Sequence, residues 1–213
     1  MTPRVSAFGE SALLIELGDV FDESLAAWAR TLADEWPLGV AVPAYASVMA
    51  SFDPETTEPE IAERRMRNLV DRGPTFRSVV PGAAPSAPRV VEIPTRYDGE
   101  DLADVSRLSK MSVEELIALH SEREYGVIFL GFLPGFAYCG RLDPRIVAPR
   151  LERPRERVPA GAVAVADGQT AVYPFASPGG WRLIGVTDAV MFDPQAAEPS
   201  RLRAGDRLRF VPR

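Results

Sequence analysis

Residues 129–181 combine aromatic side chains with Pro-Gly pairs, and this combination restricts the folds open to the chain more than any other feature. Proline is excluded from helix interiors and glycine favours turns, so the segment is typical of short strands joined by tight turns. The aromatic residues of the segment are Phe129, Phe132, Phe136, Tyr138, Tyr173, Phe175 and Trp181. The pattern predicts a β-rich region with a large aromatic component.

Two four-residue segments in this region have the same turn pattern. Residues 133–136 (LPGF) and 177–180 (SPGG) each carry Pro at the second position and Gly at the third. That order predicts a type II turn, because Pro fixes φ near −60° and Gly accepts the positive φ that follows. Such turns either close a β-barrel or hold binding groups in fixed places. The residues alone do not favour one role over the other.

Composition excludes several classes of function. The formal net charge of −6 argues against a general nucleic-acid or anionic-membrane binder, since both need a basic face. The single cysteine, Cys139, excludes an internal disulfide and a cysteine-based metal site. The first residues lack the layout of a signal peptide, and no apolar run is long enough to span a bilayer. We therefore expect a cytoplasmic protein that binds neither nucleic acid nor membrane.

The first part of the chain predicts a small α+β sandwich. Its hydrophobic pattern gives strands and helices in the order strand, strand, helix, strand, strand, helix. The segments are residues 5–8, 12–17, 22–36, 39–42, 46–52 and 59–72, with Pro43 at an edge and with Ile61, Met66, Leu69 and Val70 on the inward face of the last helix. Residues 81–88 are rich in Pro, Gly and Ala and predict a linker, which places the domain boundary near Pro88.

Residues 89–213 predict a β-rich second domain. Strands are expected at residues 89–94, 125–131, 162–166, 170–173, 181–186 and 207–211. Two short helices are expected at 101–108 and 112–120, and Ser112 with Glu115 three residues later forms a capping box for the second helix. Strands with turn signals at this spacing are typical of a sandwich or barrel.

Few residues carry an obvious chemical motif. His120 is the only histidine, and near a helix end it is either a capping or surface residue or a general base. Cys139 has no base near it in the sequence and is interpreted as a small buried residue. The sequence has no phosphate-binding loop, dinucleotide fingerprint or zinc-protease motif, and its aspartates are spaced as turn residues, so no metal site is predicted.

Polar residues near the Pro-Gly turns give the best candidate site. With Arg157 approaching from the preceding segment, they have the chemistry to hold a small planar amide or carboxylate. These polar candidates are Gln169, Thr170, Tyr173, Ser177 and Trp181. We predict catalytic roles for His120, Arg157 and Gln169. Substrate contacts are predicted for Pro134, Gly135, Phe136, Tyr138, Thr170, Tyr173, Ser177, Gly179, Gly180 and Trp181. The alternative is that Gln169 completes a turn and that Arg157 is solvated.

Three phrases together resemble a known protein family. FLPGFAYCGRLDP, then PRERVPAGAVAVADGQTAVYPFASPGGWRLIG, then FDP with GDRLRFVP are similar to allophanate hydrolase subunit 1, a family also called sporulation kinase inhibitor-like or the B subunit of 5-oxoprolinase. The sequence departs from the family at Asp167, where a glycine is expected, and at Cys139, where a bulky apolar residue is more usual. The resemblance implies a cyclophilin-like β-barrel from residue 89 onward, after a separate α+β unit.

The resemblance also implies a function within a complex. The expected partners are a homologous second subunit, itself formed around a cyclophilin-like barrel, and a third subunit. The assembly would be an ATP-dependent 5-oxoprolinase that opens 5-oxo-L-proline to L-glutamate, with ATP as co-substrate at a site on this or another subunit. This chain would be inactive alone.

Two other functions follow from the same resemblance. One is a regulatory module that inhibits a sensor histidine kinase through the apolar surface of the barrel. The other is a carboxyl-transfer subunit of a urea carboxylase or allophanate system, which a biotin carboxylase partner would mark. A peptidyl-prolyl isomerase would rest on the fold alone and is least favoured, because fold does not carry function.

Overall fold

The computed structural model describes residues 2–18, 23–73 and 89–213. The chain divides into two compact units, Met1–Ser86 and Ala87–Arg213. Both combine helices with strands, which confirms the predicted α+β class. The predicted linker at residues 81–88 and the boundary near Pro88 lie outside the described residues and stay predictions.

The first unit is one antiparallel sheet with two helices. Its elements are β1 (Arg4–Ala7), β2 (Ala12–Glu16), α1 (Glu23–Glu35), β3 (Ala41–Pro43), β4 (Ser47–Ser51) and α2 (Pro59–Asp71). The strand order is β1-β2-β4-β3, so Pro43 lies on an edge strand as predicted. An edge accommodates proline because the nitrogen without a proton has no neighbouring strand to bond.

Helix α2 buries one face against this sheet, and the face differs from the prediction by one position. The buried residues of α2 are Ala62, Met66, Leu69 and Val70. The prediction that Ile61 points inward is wrong, because this residue is 39% exposed. The spacing of the buried residues places them on one face of the helix. Ile61 directly precedes Ala62, and successive helix residues are rotated by about 100° around the axis, so Ile61 lies outside this face.

The second unit contains a seven-stranded sheet, a two-stranded ribbon and two helices. Its elements are β5 (Val90–Thr95), α3 (Leu102–Ser109), α4 (Val113–Ser121), β6 (Glu124–Leu130), β7 (Ala137–Gly140), β8 (Arg155–Val158), β9 (Ala162–Ala166), β10 (Gln169–Val172), β11 (Ser177–Gly179), β12 (Arg182–Val186) and β13 (Arg207–Pro212). The large sheet has the order β12-β9-β10-β7-β6-β13-β5, and β8 pairs with β11 in the ribbon. Ser112 caps α4 as predicted, accepting a hydrogen bond from Glu115 N at 3.1 Å.

The outer strands of the large sheet meet, so the sheet forms a nearly closed barrel. Arg96, directly after β5, forms an antiparallel bridge with Val186 of β12. Arg96 N donates to Val186 O at 2.9 Å, and Val186 N donates to Arg96 O at 2.8 Å. Gly185 lies at the junction, where a Cβ would stand 2.6 Å from Arg96 O. Glycine is therefore required for the two segments to approach.

Both faces of the sheet are buried around β9. Val163 and Val165 belong to the core cluster that takes residues from all seven strands and fills the barrel interior. Ala162, Ala164 and Ala166 belong to a second cluster on the opposite face. The sequence AVAVA thus alternates large residues inward with small residues outward, because successive strand residues point to opposite faces.

The two turns predicted to be alike differ. In residues 133–136, Gly135 has φ of 78° and Phe136 N donates to Leu133 O at 3.0 Å, as a type II turn requires. The type II prediction for residues 177–180 is wrong: they include β11, and Gly179 has no positive φ. Pairing with β8 extends this segment, with Ser177 opposite Val158.

None of the helices within the described ranges is long and apolar enough to cross a membrane.

Candidate functional site

Four aromatic side chains form a cluster on the outer face of the barrel. Phe136 lies at the centre of this aromatic cluster, with its ring centroid 4.9 Å from Tyr138, 5.2 Å from Tyr173 and 5.7 Å from Trp181. The contacts are edge-to-face, the arrangement that aromatic quadrupoles favour. Tyr138 is half-buried, whereas the other three rings are buried. The cluster therefore reaches solvent mainly at Tyr138.

Small residues of β9 and β10 make room for these rings. Ala164 and Ala171 are paired in register and belong to the same buried group as the aromatic cluster. Gln169 pairs with Ala166 and with Gly140 of β7, so it shares this outer face. The Gln169 residue is 9% exposed. A carboxamide thus stands on the sheet face that carries the aromatic cluster.

The ribbon of β8 and β11 comes close to Tyr173 at Gly179. A Cβ at Gly179 would lie 2.3 Å from the Tyr173 hydroxyl oxygen, closer than any real contact. Glycine is needed here for the close approach of the backbone, not for a turn. Burial raises the pKa of the Tyr173 phenol, although a hydrogen bond from the Trp181 backbone acts in the opposite direction by favouring the charged form.

A partly buried ion pair fixes the same ribbon to the start of α3. Arg155 Nη2 donates to both carboxylate oxygens of Asp101, at 2.8 and 2.9 Å. Asp101 also accepts a hydrogen bond from Leu183 N at 2.7 Å. The Asp101 side chain is 8% exposed, so its charge is compensated mainly by these donors. The pair holds β8, α3 and β12 together beside Trp181.

A second arginine covers the rim of the aromatic cluster. The guanidinium carbon of Arg150 lies 5.8 Å from the Trp181 ring centroid, a cation–π distance, and its Nε donates to Asp167 at 2.8 Å. Asp167 has φ of 49° and is followed by Gly168 at 81°. These values and the two-residue Asp-Gly loop between β9 and β10 are those of a type I′ hairpin, which explains why a glycine is expected at Asp167.

Burial and charge act in opposite directions on Tyr138. Burial raises the pKa of the Tyr138 phenol, while the nearby charge of Arg150 acts to lower it. The hydroxyl stays protonated at neutral pH and is able to donate a hydrogen bond. The Tyr138 phenol, the Arg150 guanidinium over Trp181 and the Gln169 carboxamide on the same sheet face thus accompany the aromatic cluster. This set has donors for a carbonyl or carboxylate oxygen and apolar area for a small ring.

His120 lies in the barrel interior, on the other face of the sheet. The Tyr97 hydroxyl lies 2.7 Å from its Nδ1, and Thr170 Oγ1 lies 2.9 Å from its Nε2. Because Thr170 donates to Ala164 O at 3.1 Å, the consistent assignment has Nε2–H donating to Thr170 and Tyr97 donating to Nδ1. Burial lowers the pKa of His120 to about 3, so the imidazole is neutral.

The predicted site residues thus occupy different places. The structure brings Gln169, Phe136, Tyr138, Tyr173 and Trp181 to one face, with Gly179 and Gly180 in and after the ribbon beside them. His120 and Thr170 are fully buried on the interior face, so the interpretation of His120 as a surface residue is wrong.

The remaining predicted residues lie around the aromatic cluster. Pro134 is exposed, Gly135 packs against Phe192, and Ser177 is buried in β11. Among the described residues, exposed Arg157 has no hydrogen bond or ion pair with Gln169 or Tyr173.

Three residues beside the cluster have no place among those predicted from the sequence: Arg155, Asp101 and Arg150. Arg155 and Arg157 have equivalent sequence surroundings, and only the pairing of β8 shows which one is held beside Trp181. Asp101 is 54 residues from its partner and has the sequence position of a helix start. It is indeed the N-cap residue of α3, but its carboxylate makes no capping hydrogen bond because it binds Arg155 and Leu183. No local pattern indicates that role.

The family model described as carboxyltransferase domain, subdomain C and D, matches residues 3–202. The chain belongs to this family. Curated relatives of the chain include the 5-oxoprolinase B subunit of Bacillus subtilis (strain 168), 34% identical over 98% of this chain and 92% of that protein. The resemblance seen in the sequence is thereby confirmed.

Solved structures of other proteins share the fold. The crystal structure of TTHA0988 superposes with a TM-score of 0.79 at 37% identity, over 95% of this chain. This chain spans only 40% of TTHA0988. Kluyveromyces lactis urea amidolyase matches with a TM-score of 0.78 at 18% identity, over 100% of this chain and 15% of that one. At that identity the likeness shows the fold alone.

Proposed function

We propose that this chain is a subunit of an ATP-dependent 5-oxoprolinase complex that opens 5-oxo-L-proline to L-glutamate. The observation that carries the proposal is the similarity to the 5-oxoprolinase B subunit of Bacillus subtilis over nearly the whole of both chains. A relative named as a subunit implies further subunits, and we propose a homologous barrel subunit and a third subunit as partners. The chain by itself is expected to be inactive.

The proposed reaction breaks an amide bond that is not strained. Water adds to the lactam carbonyl carbon, the C–N bond breaks, and the nitrogen takes a proton to become the amine of glutamate. Amide resonance makes the carbonyl a weak electrophile, so the reaction is coupled to hydrolysis of ATP to ADP and phosphate. The sequence has no GxxxxGK(S/T) loop, so we propose that ATP binds to another subunit.

The site on this chain is proposed to bind and orient the substrate. The ring of 5-oxoproline is small and planar at its amide, which fits an aromatic floor with a carboxamide at its side. We propose that Gln169 bonds the lactam amide and that the guanidinium of Arg150 attracts the substrate carboxylate. Gln169 shares the sheet face of the aromatic cluster, and the Arg150 guanidinium lies over the Trp181 ring. A charged hydrogen bond of this kind contributes about 1.5–3 kcal/mol.

Reconstitution from separate subunits tests the proposal. Glutamate release from 5-oxoproline is measured with and without ATP, in the complete mixture and with each subunit omitted in turn. We expect ATP-dependent glutamate that disappears when this chain is left out. Glutamate formation by the other subunits alone, or none from the complete assembly, contradicts the proposed function.

Variants of two arginines distinguish a substrate site that contains Arg150 from one that contains Arg157. In the active complex, Gln169→Ala and Arg150→Met should raise KM by about tenfold or more, since each removes a polar contact to the substrate. Arg157→Met is the matched variant at an exposed arginine and should keep KM unchanged. The opposite result, with Arg157 essential and Arg150 dispensable, would support Arg157, the residue predicted from the sequence, as the arginine of the site.

Carboxyl transfer is the second candidate function. The description of the family model names a carboxyltransferase, and the fold is shared with urea amidolyase of Kluyveromyces lactis. In that case the partner would carry biotin, and the substrate would be urea or a similar amide. Incorporation of labelled bicarbonate into urea by the assembled subunits, without glutamate formation from 5-oxoproline, would favour this alternative.

A further inference from the structure

Three phenylalanines form an apolar surface next to the aromatic cluster. Phe132 is 59% exposed, Phe175 is 40% exposed and Phe192 is half-buried. The rings of Phe175 and Phe192 contact each other edge-to-face with centroids 5.8 Å apart. The loop that carries Phe132 packs on Phe192 through Gly135, where a Cβ would lie 2.7 Å from Phe192 Cβ. We call Phe132, Phe175 and Phe192 the phenylalanine patch.

Phe132 has an unusual backbone conformation. Its φ is 71°, in the left-handed region that disfavours residues other than Gly, Asn and Asp. The loop is closed by Gly131 N donating to Phe136 O at 3.1 Å and by the turn at Leu133, which hold that conformation. A bulky aromatic residue here carries a backbone cost and leaves most of its ring in water. The stability of the isolated chain does not account for this choice.

The patch is connected to the proposed substrate site. The Phe132 ring lies 5.4 Å from Phe136 and 6.5 Å from Tyr173, both at right angles within about 10°. A molecule that covers the phenylalanine patch therefore also contacts the outer edge of the aromatic cluster. Contiguous exposed aromatic residues of this kind mark interaction surfaces, and aromatic residues dominate the energy of such contacts.

We infer that the phenylalanine patch docks a sister subunit of the complex, with Phe132 as the ring that inserts into an apolar pocket of that subunit. The inference rests on the proposed function. Its support is that the Bacillus subtilis relative is a chain of similar length to this one, whereas in TTHA0988 the same fold takes up 40% of a longer chain. A domain that is separate in one protein and joined to further chain in another is expected to meet the same companion. Docking there also closes the substrate site from outside.

Affinity measurements with point variants test the docking surface. The probe is the purified sister subunit from the same organism, identified by its similarity to the part of TTHA0988 that this chain does not match. Phe132→Glu and Phe175→Glu of the full chain should weaken Kd by about thirtyfold or more, as for residues at the centre of an interface. Phe8→Glu is the matched control, because Phe8 is 54% exposed and belongs to the other unit. It should change Kd by less than about twofold.

A second variant separates docking from folding. Phe132→Asn places a residue that tolerates the left-handed conformation at the same position. It should keep or raise the thermal midpoint of the chain while weakening Kd by at least about tenfold. A lower midpoint with unchanged Kd would show that Phe132 serves the fold and would overturn the inference.

The outcomes also distinguish the inference from the function on which it rests. If the wild-type chain binds its sister subunit and the patch variants bind equally well, the docking surface is wrong while the proposed complex stands. If the wild-type chain fails to bind at all, both are wrong. If the chain alone is a dimer that Phe132→Glu dissociates, the patch serves self-association, and the sister subunit is not its occupant.

Discussion

Acid should destabilise the second unit through His120, and the size of the effect follows from its burial. His120 is completely buried and neutral, with a pKa of about 3, whereas an unfolded histidine titrates near 6.5. Between these two values the unfolded chain binds a proton that the folded chain does not. The stability is therefore complete above pH 6.5 and falls as the pH drops toward 3.

The magnitude is worked from the two pKa values. At pH 7.5 both states are neutral and the contribution is close to zero. At pH 5 the unfolded imidazole is protonated and the folded one is not, which lowers the free energy of unfolding by about 2 kcal/mol. Other groups also titrate in this range, so the effect of His120 has to be isolated by comparison with a variant.

His120→Gln provides that comparison, because glutamine is neutral at both pH values. The free energy of unfolding is measured in urea at pH 7.5 and pH 5 for the wild type and the variant. The deficit of the variant should shrink by about 2 kcal/mol at pH 5. His120 is the only histidine, so its ring proton resonances in an NMR titration are unambiguous. A deficit that is the same at both pH values, or a ring that titrates near pH 6.5 while the protein stays folded, would refute the reasoning.

Three further predictions concern packing and charge. Arg155→Ala should lower the free energy of unfolding by about 2 kcal/mol, because it leaves the buried Asp101 carboxylate without its cation. An unchanged midpoint of urea denaturation would contradict this prediction. Gly179→Ala should lower the thermal midpoint by several degrees, because its methyl group would overlap the Tyr173 hydroxyl. Gly126→Ala is the control and should be nearly neutral, because the space at its Cβ position is open. Equal effects of the two substitutions would contradict this packing. Cys139 is fully buried and its pKa is raised by burial, so a thiol reagent should modify it only in the unfolded protein, and rapid modification of the native chain would count against the structure.

Local sequence pattern predicts most of the strands because their alternation is visible without knowledge of the partner strand. The AVAVA segment is the clearest example, since its strand preference agrees with its burial on both faces. Strand β8 is not predicted because its sequence, RERV, is mostly polar. Its extended conformation depends on pairing with β11, which the sequence does not show.

The two Pro-Gly segments show how tertiary pairing overrides a turn signal. The LPGF segment connects adjacent strands β6 and β7, so the local preference for a type II turn decides its conformation. The SPGG segment has a strand beside it, and glycine is needed there to let the backbone approach Tyr173. One sequence pattern thus answers two different physical requirements.

The candidate site is partly predictable from the sequence. Gln169, Tyr173 and Trp181 are grouped by their closeness to the turns, and they do share one face of the sheet. Thr170 is the exception. Because successive strand residues point to opposite faces, Thr170 points into the interior of the barrel and forms a hydrogen bond with His120. The choice between Arg155 and Arg157 depends on contacts with a residue far away in the chain. Pattern reasoning has no means to make that choice.

The bridge between Arg96 and Val186 has a consequence for how proteins can associate with this chain. Open sheets recruit partners by strand addition, in which a foreign strand bonds to unpaired N–H and C=O groups at an edge. Within the described part of the second unit, the bridge leaves the seven-stranded sheet little edge of this kind. Recognition of the barrel therefore depends on the shape of its side chains and loops, which separate point substitutions can dissect. Within the described residues, β-augmentation and edge-to-edge aggregation are instead expected at strands that keep an open edge, which are β1 and β3 of the four-stranded sheet and β8 and β11 of the ribbon.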